Sequence, residues 1–177
     1  RHVRKAAEFV GDKLKICTVI GFPNGYNMPE VKVFETEDAV RGGADEIDMV
    51  INVGALKGRD NAYVVEDIRQ VVAAAGEAPV KVIIETCLLN EEEKIRACRM
   101  IAQAGAAFVK TSTGFNKGGA TVEDVALLSG EAKNLGLRVK AAGGIRDYAT
   151  AKAMLKAGAD RLGCSAGVRL AEEEARA

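Results

Sequence analysis

The sequence predicts an α/β protein: repeated βα units laid around a parallel sheet. Three observations carry that prediction. A Gly-Ala step recurs at Gly43-Ala44-Asp45, Gly105-Ala106-Ala107 and Gly158-Ala159-Asp160, each time between a charged, alanine-rich stretch and an apolar one. The apolar stretches are nearly continuous, as in parallel strands covered on both faces. With weaker versions of the step at Gly11 and Gly136, the unit length is about 25–35 residues, the size of one βαβ step.

Each element then follows in order. Arg1–Val10 reads as the tail of a helix with no strand before it. Six strands are expected at Lys15–Phe22, Glu46–Asn52, Val80–Cys87, Phe108–Ser112, Arg138–Ala142 and Arg161–Ser165. Helices fill the gaps, and the glycine of each Gly-Ala step suits the left-handed residue that closes a helix. Asn90 with Glu93, and Thr121 with Asp124, have the spacing of capping boxes, and Asp147 suits a helix cap. Asn24-Gly25 reads as a turn, and Gly118-Gly119 as a plain loop bend. No low-complexity stretch or long linker divides the chain, so residues 1–177 read as one domain. Six units fit either an open doubly wound sheet or part of an eight-unit barrel. A complete (β/α)₈ barrel needs about 250 residues. The strandless helix tail at the start favours a barrel that lacks its N-terminal piece.

Composition narrows the function. Lys plus Arg and Asp plus Glu number 25 each, for zero formal net charge, so nucleic acid and acidic membrane surfaces are not expected partners. No apolar run has the length of a membrane span, and RHVRKAAEFV is too charged for a secretion signal. Cys17, Cys87, Cys98 and Cys164 form no CxxC pair; a reduced cytoplasmic setting with buried free thiols is expected. The one histidine is His2. Zinc and non-haem iron sites draw on histidines or clustered cysteines, so no metal is expected.

Charge inside the strands is the main functional signal. Asp48, Glu85, Lys110 and Lys140 each fall within an otherwise apolar strand. Strand alternation puts Asp48 with Val50 and Asn52, and Lys110 with Phe108 and Ser112. A charge buried in a strand is costly unless it is paired or used. Structural ion pairs, or lysines reaching solvent from strand ends, would explain any one of them. Asp48, Lys110 and Lys140 on three separate strands point instead to a site. Two lysines held close disfavour each other's protonation, and burial acts in the same direction. A neutral amine attacks carbonyls, and a neighbouring carboxylate can move protons through water. Glu85 is expected to be structural first, holding a lysine in place.

Glycines form a second group. Gly143-Gly144 follows the strand bearing Lys140, and Gly163-Cys164-Ser165-Ala166-Gly167 ends the last strand. In a barrel, phosphate sits on the loops after the last two strands, near a helix N-terminus. Two tight turns would give the same composition.

CTVIGFPNG, DEIDMVINVGAL, VKVIIETCLL, FVKTSTGF followed by GGAT, VKAAGGIR and GADRLGCSAG together resemble the deoxyribose-phosphate aldolase family, in the family's order and over nearly the whole chain. The resemblance implies strands three to eight of a (β/α)₈ barrel, with strands one and two absent. It implies Lys110 as the Schiff-base lysine, Lys140 as the second lysine that lowers its pKa, and Asp48 as the carboxylate of the proton relay. It places Thr113, Gly114, Gly143, Gly144, Gly163 and Ser165 around the substrate and its phosphate. Phe115 stands where a lysine can occur, and Ala166 where a second serine can occur. The implied reaction cleaves 2-deoxy-D-ribose 5-phosphate to glyceraldehyde 3-phosphate and acetaldehyde without metal or organic cofactor. The alternatives are a lysine-dependent barrel aldolase with another donor, a non-catalytic binder of phosphorylated ligands, and an inactive fragment. Open edges at Lys15–Phe22 and Arg161–Ser165 would template pairing between chains, so a homo-oligomer is expected.

Overall fold

The computed structural model describes residues 2–175. In chain order its elements are α1 (Val3–Val10), β1 (Cys17–Ile20), α2 (Pro29–Arg41), β2 (Glu46–Val50), α3 (Val53–Lys57), α4 (Asn61–Ala75) and β3 (Val80–Ile83). There follow α5 (Glu91–Gln103), β4 (Phe108–Lys110), α6 (Val122–Leu135), β5 (Arg138–Ala142), α7 (Tyr148–Lys156), β6 (Arg161–Gly163) and α8 (Gly167–Glu174). The strands form one parallel sheet in the order β1-β2-β3-β4-β5-β6. All six expected strands are present.

The sheet curls. Arg161 on β6 makes two hydrogen bonds, 3.0 and 3.3 Å, to the Glu46 carboxylate on β2. In a flat sheet with strands about 4.8 Å apart those two would be about 19 Å from each other, so the strands wrap a common interior as in a barrel wall. Outward-facing Ile47, Met49, Val82, Val109, Val139 and Ala141 are almost fully buried against the helices. Leu56, Val64, Ile68, Ala97, Ile101, Val125 and Leu128 meet them from the helix shell. Each such large side chain contributes roughly 1.5–3 kcal/mol by leaving water. The inward face is polar instead: Glu46, Asp48, Lys81, Lys110 and Lys140 are all buried there.

The helix signals work largely as read. Gly43, Gly105 and Gly158 all have positive φ just past their helices. Asn90 and Glu93 form both halves of a capping box. Thr121 accepts from the Asp124 amide, but the Asp124 carboxylate turns to Lys94 at 2.6 Å, so only half of that box exists. Asp147 caps α7 through the Thr150 amide.

Several strands are shorter than expected, because the backbone leaves extended geometry near the mouth while a few main-chain and side-chain bonds still join neighbouring strands. β3 stops at Ile83, Glu85 takes a left-handed φ of 55°, and Thr86–Leu88 forms a 3₁₀ turn. Beyond β4, the Thr111 hydroxyl bridges the carbonyl and amide of Ala142 at 3.0 Å each.

Two expectations are corrected. Only Cys98 is buried; Cys17, Cys87 and Cys164 are exposed. Cys17 lies on an edge strand, Cys87 in the 3₁₀ turn after β3 and Cys164 in the loop after β6, so none of the three is enclosed between sheet and helices. Gly118-Gly119 is also more than a bend. A Cβ on Gly119 would stand 2.4 Å from the Gly143 carbonyl oxygen, and the neighbouring Ala120 amide donates to that oxygen at 3.0 Å. The bare backbone of Gly119 lets the β4 and β5 loops touch.

Candidate active site

Strand register builds the site. Lys110 on β4 lies directly beside Lys140 on β5, and Asp48 stands on β2 across the curl. Both ammonium groups reach the same carboxylate oxygen: Asp48 Oδ2 is 2.8 Å from Lys110 Nζ and 2.7 Å from Lys140 Nζ. The three residues singled out in separate strands therefore meet at one point. The lysines are 7% and 8% exposed, which leaves each amine a narrow approach from the interior.

A fourth charge was not singled out from the sequence. Lys81 on β3 is fully buried and bonds Asp48 Oδ1 at 3.0 Å and Glu46 at 2.7 Å. As the second residue of its strand it looks like a side chain that could reach solvent. Its shared parity with Ile83 and Glu85 was the signal that it faces inward. The Cys17 thiol also donates to Asp48 Oδ1 at 3.2 Å.

The amines differ in character. Burial pushes the Lys110 amine below its ordinary value; Asp48 pulls the other way, and the charge of Lys140 adds to the lowering. Burial also opposes the charge on Lys81, but its bond to Glu46 and the charge of Asp48 outweigh it and raise that amine. Lys81 is thus the more firmly held cation, and Lys110 gives up its proton more readily than an ordinary lysine. For Asp48 burial favours the neutral acid, yet the charges and hydrogen bonds of Lys110 and Lys140 hold the carboxyl well below the usual carboxylate range.

Around this centre lie the loop residues. Gly114, with φ 84°, and Gly144, with φ 81°, both border open space. Gly143 packs on Gly119 and Ser112. Gly163 makes room for a neighbour: a Cβ there would lie 3.2 Å from Lys140 Cε and 2.9 Å from Ala142 Cβ. Ser165 is exposed beyond β6, just before α8, whose first turn has no side-chain cap. Glu85 holds no lysine. Its carboxylate accepts from both the amide and the hydroxyl of Thr113, and the Phe115 amide donates to Thr113 Oγ1 at 3.1 Å. Glu85 therefore fixes the loop after β4. Among the described residues no cluster of His, Cys, Asp and Glu has the arrangement of a metal site.

A lysine pair on adjacent barrel strands, sharing one carboxylate beneath glycine-rich loops, is the layout of carbonyl chemistry on an amine. Residues 2–171 match the model of the DeoC/LacD family of aldolases. The chain belongs to that family. Among DeoC relatives, the deoxyribose-phosphate aldolase of Geobacillus sp. (strain WCH70) is 58% identical over 174 residues, 96% of this chain and 77% of that protein. That of Streptococcus gordonii is 56% identical over 173 residues, 97% of this chain and 78% of that protein. The chain thus spans about three quarters of the length of these relatives. The aldolase QR15 superposes with a TM-score of 0.95 at 47% identity, over 99% of this chain and 78% of that one. The tetrameric deoxyribose phosphate aldolase of Aeropyrum pernix gives 0.88 at 35% identity, over 98% and 72%. These DeoC aldolases share the partial barrel described above as part of their own fold.

Proposed function

We propose that the chain is a Schiff-base aldolase that cleaves 2-deoxy-D-ribose 5-phosphate and runs the reverse addition. The observation that carries this is the contact of Lys110 and Lys140 with one oxygen of Asp48, the Lys110 amine being lowered by burial and by its neighbour. Neutral Lys110 adds to the C1 aldehyde of the open-chain sugar, and loss of water gives an iminium ion. The C3 hydroxyl gives up its proton, the C2–C3 bond breaks, and its electron pair flows into the iminium. Glyceraldehyde 3-phosphate leaves, and Lys110 keeps an enamine. Protonation of the enamine carbon restores an iminium, which water hydrolyses to acetaldehyde and free amine. The iminium is itself the electron sink, so the steps need neither metal nor organic cofactor. Asp48, held ionised, serves as the accepting end of a proton relay through water. The direct test is acetaldehyde release from 2-deoxyribose 5-phosphate. A phosphorylated sugar that binds but yields no acetaldehyde would turn the reading to a non-catalytic binder.

In this reading Lys140 acts through charge. Lys140→Met removes the repulsion on Lys110 and leaves it without a rival for Asp48 Oδ2, Lys81 staying on Oδ1, and both changes favour the Lys110 ammonium. Activity requires the neutral amine, so the acid limb of the pH–rate profile should move up by about 1 unit, a tenfold loss below that limb. An unmoved limb would remove this role from Lys140.

Gly143, Gly144, Ser165 and the uncapped start of α8 are the proposed phosphate cradle, with Thr113 and Gly114 along the opposite loop. The open space at Gly144 supports it, as does a helix N-terminus next to the last strand. Gly144→Glu adds bulk and negative charge there. It should reduce kcat/KM for the phosphorylated substrate by about 10²-fold, roughly the 2–3 kcal/mol of a lost charged hydrogen bond. Cleavage of unphosphorylated deoxyribose should change little, and equal loss on both would mean general disruption.

Association is proposed as well. In the described sheet β1 and β6 each have one strand neighbour, and exposed edges pair with other chains. The described helices include none long and apolar enough to cross a membrane. Light scattering of the 177-residue polypeptide should give more than a monomer mass; a monodisperse monomer would show the edges are covered within one chain.

A further inference from the structure

Lys32 on α2 and Asp67 on α4 form a separate, fully buried ion pair, outside the barrel interior and with no part in the chemistry proposed above. Both side chains are fully buried, and Nζ is in direct contact with Asp67 Oδ2. Asp67 Oδ1 has no hydrogen-bond partner, so this carboxylate is committed to the lysine. Burying two ions away from water is costly, and a pair of well-packed apolar side chains would serve packing at least as well. What the ammonium does that an apolar group would not is donate to the Val50 carbonyl at 3.2 Å.

That carbonyl sits where the β1–β2 ladder runs out, although β2 still pairs with β3 there, Val50 opposite Ile83. The β1–β2 ladder ends with Ile20 opposite Met49, one residue short of Val50. Val50 itself is two residues past Asp48 on the same strand face. Instead of continuing the ladder, β1 turns away at Gly21, whose φ is 61° and whose amide goes to Glu35 of α2 at 2.8 Å. The turn passes over the lysine: a Cβ on Gly21 would stand 2.9 Å from Lys32 Cε. The loop then lies on the end of β2, where a Cβ on Gly25 would be 2.1 Å from the Ile51 carbonyl oxygen. Between these two glycines the loop carries Phe22, which meets Phe115 of the β4 loop edge-on, with ring centroids 5.2 Å apart. β1 and β4 are separated in the sheet by two strands, so this aromatic contact bridges the mouth on the side of Asp48 and Lys110.

We propose that Lys32, held by Asp67, is a positioning residue for the aldolase reaction: its ammonium takes the place of the β1 neighbour that Val50 lacks and thereby fixes the end of the Asp48 strand and the loop that carries Phe22. This rests on the reading of Lys110 and Asp48 as catalytic. Displacement of a reacting group by about 1 Å can cost on the order of 10²-fold in rate, so loss of this anchor acts on turnover more than on substrate capture.

The test compares the wild-type protein with Lys32→Met/Asp67→Leu, which removes both charges together and leaves neither stranded. Wild-type turnover of 2-deoxyribose 5-phosphate comes first, since its absence would sink the catalytic reading itself. Given that turnover, the double variant should keep or raise the melting temperature while kcat falls by about tenfold or more with KM little changed. Its acid limb should also move, because Asp48 no longer sits at the same place against Lys110. Gly21→Ala is the second variant, for the case in which the double variant does not fold. It keeps both charges but presses on Lys32 Cε, and it should lower kcat in the same way. A folded double variant, or a folded Gly21→Ala protein, with wild-type kcat and pH profile would reduce the pair to a packing element and overturn the proposal.

Discussion

Borohydride added to the protein with acetaldehyde is expected to place an ethyl group on Lys110 ahead of the other lysines of the buried cluster. Three buried lysines share one carboxylate, so reactivity must be decided by their surroundings. Lys81 lies between Glu46 and Asp48, 2.7 and 3.0 Å away, and is raised above its ordinary value; as a cation it has no electron pair to offer. Lys110 has only a share of Asp48, stands beside Lys140 and is lowered by burial. At neutral pH it has the larger neutral fraction of those two, and nucleophilic attack needs that form. Lys110→Met should therefore lower kcat by at least about 10³-fold, because nothing else can form the covalent intermediate. It should also abolish trapping while leaving the protein folded, since methionine fills a similar volume and leaves Asp48 with two ammonium partners. Tryptic peptides resolved by mass spectrometry read the result. A label on the peptide bearing Lys140, with Lys110 unmodified, would exchange the roles of the two.

Much of this arrangement could be read before the structure because parallel strands make charge conspicuous. A lysine within FVKTS or RVKAA follows an apolar, β-branched residue, so its burial follows from the strand, and the period of two says which face it takes. Register was not legible. Nothing in the sequence says that Lys110 stands opposite Lys140, or that both reach one oxygen of Asp48; those depend on stagger between strands and on curl. Lys81 escaped because a charge at the second position of a strand resembles one at its frayed end. Lys32 and Asp67 escaped for a different reason. Each lies on a helix where charge is ordinary, and only the packing of α2 on α4 shows both fully buried. Glu85 was visible as an unusual charge, but its partner was not. The strand ends before it, and its left-handed backbone turns the carboxylate to Thr113 rather than to a lysine. The glycines were legible as a group and not as individuals. Gly163 leaves room for Lys140, Gly119 lets two loops touch, and Gly144 borders open space; composition alone does not separate these uses.

Asp48→Asn should have the largest combined effect on stability and rate, and the sign of its pH shift should oppose that of Lys140→Met. Asp48 accepts from Lys81 at 3.0 Å, Lys110 at 2.8 Å and Lys140 at 2.7 Å. An asparagine keeps the shape and removes the charge. Lys81 retains Glu46, but Lys110 and Lys140 are left buried with each other and no anion. Breaking a buried pair from one side costs about 3–5 kcal/mol, so the melting temperature should fall clearly at neutral pH. The deficit has a pH signature. The folded Asp48 carboxyl lies below its unfolded value of about 3.9. Its contribution is present above that value and is lost as pH falls through it toward the folded one. The gap between wild type and variant should therefore be widest near neutrality and close in acid. On the alkaline side it should narrow as Lys110 gives up its proton. For the reaction, loss of a proton-relay group costs about 10²–10⁴-fold in kcat. The carboxylate is also what pulls the Lys110 amine upward against burial, so without it the acid limb should move to lower pH, by about 1 unit or more. Lys140→Met moves the same limb the other way, since it removes a repelling cation and leaves the anion. The two variants measured side by side thus separate charge from general damage, which would displace both limbs alike or neither. An Asp48→Asn protein with wild-type melting temperature and an unmoved acid limb would mean that the carboxylate does not hold the lysine cluster, and the assignment of Lys110 as an amine tuned by its neighbours would fall with it.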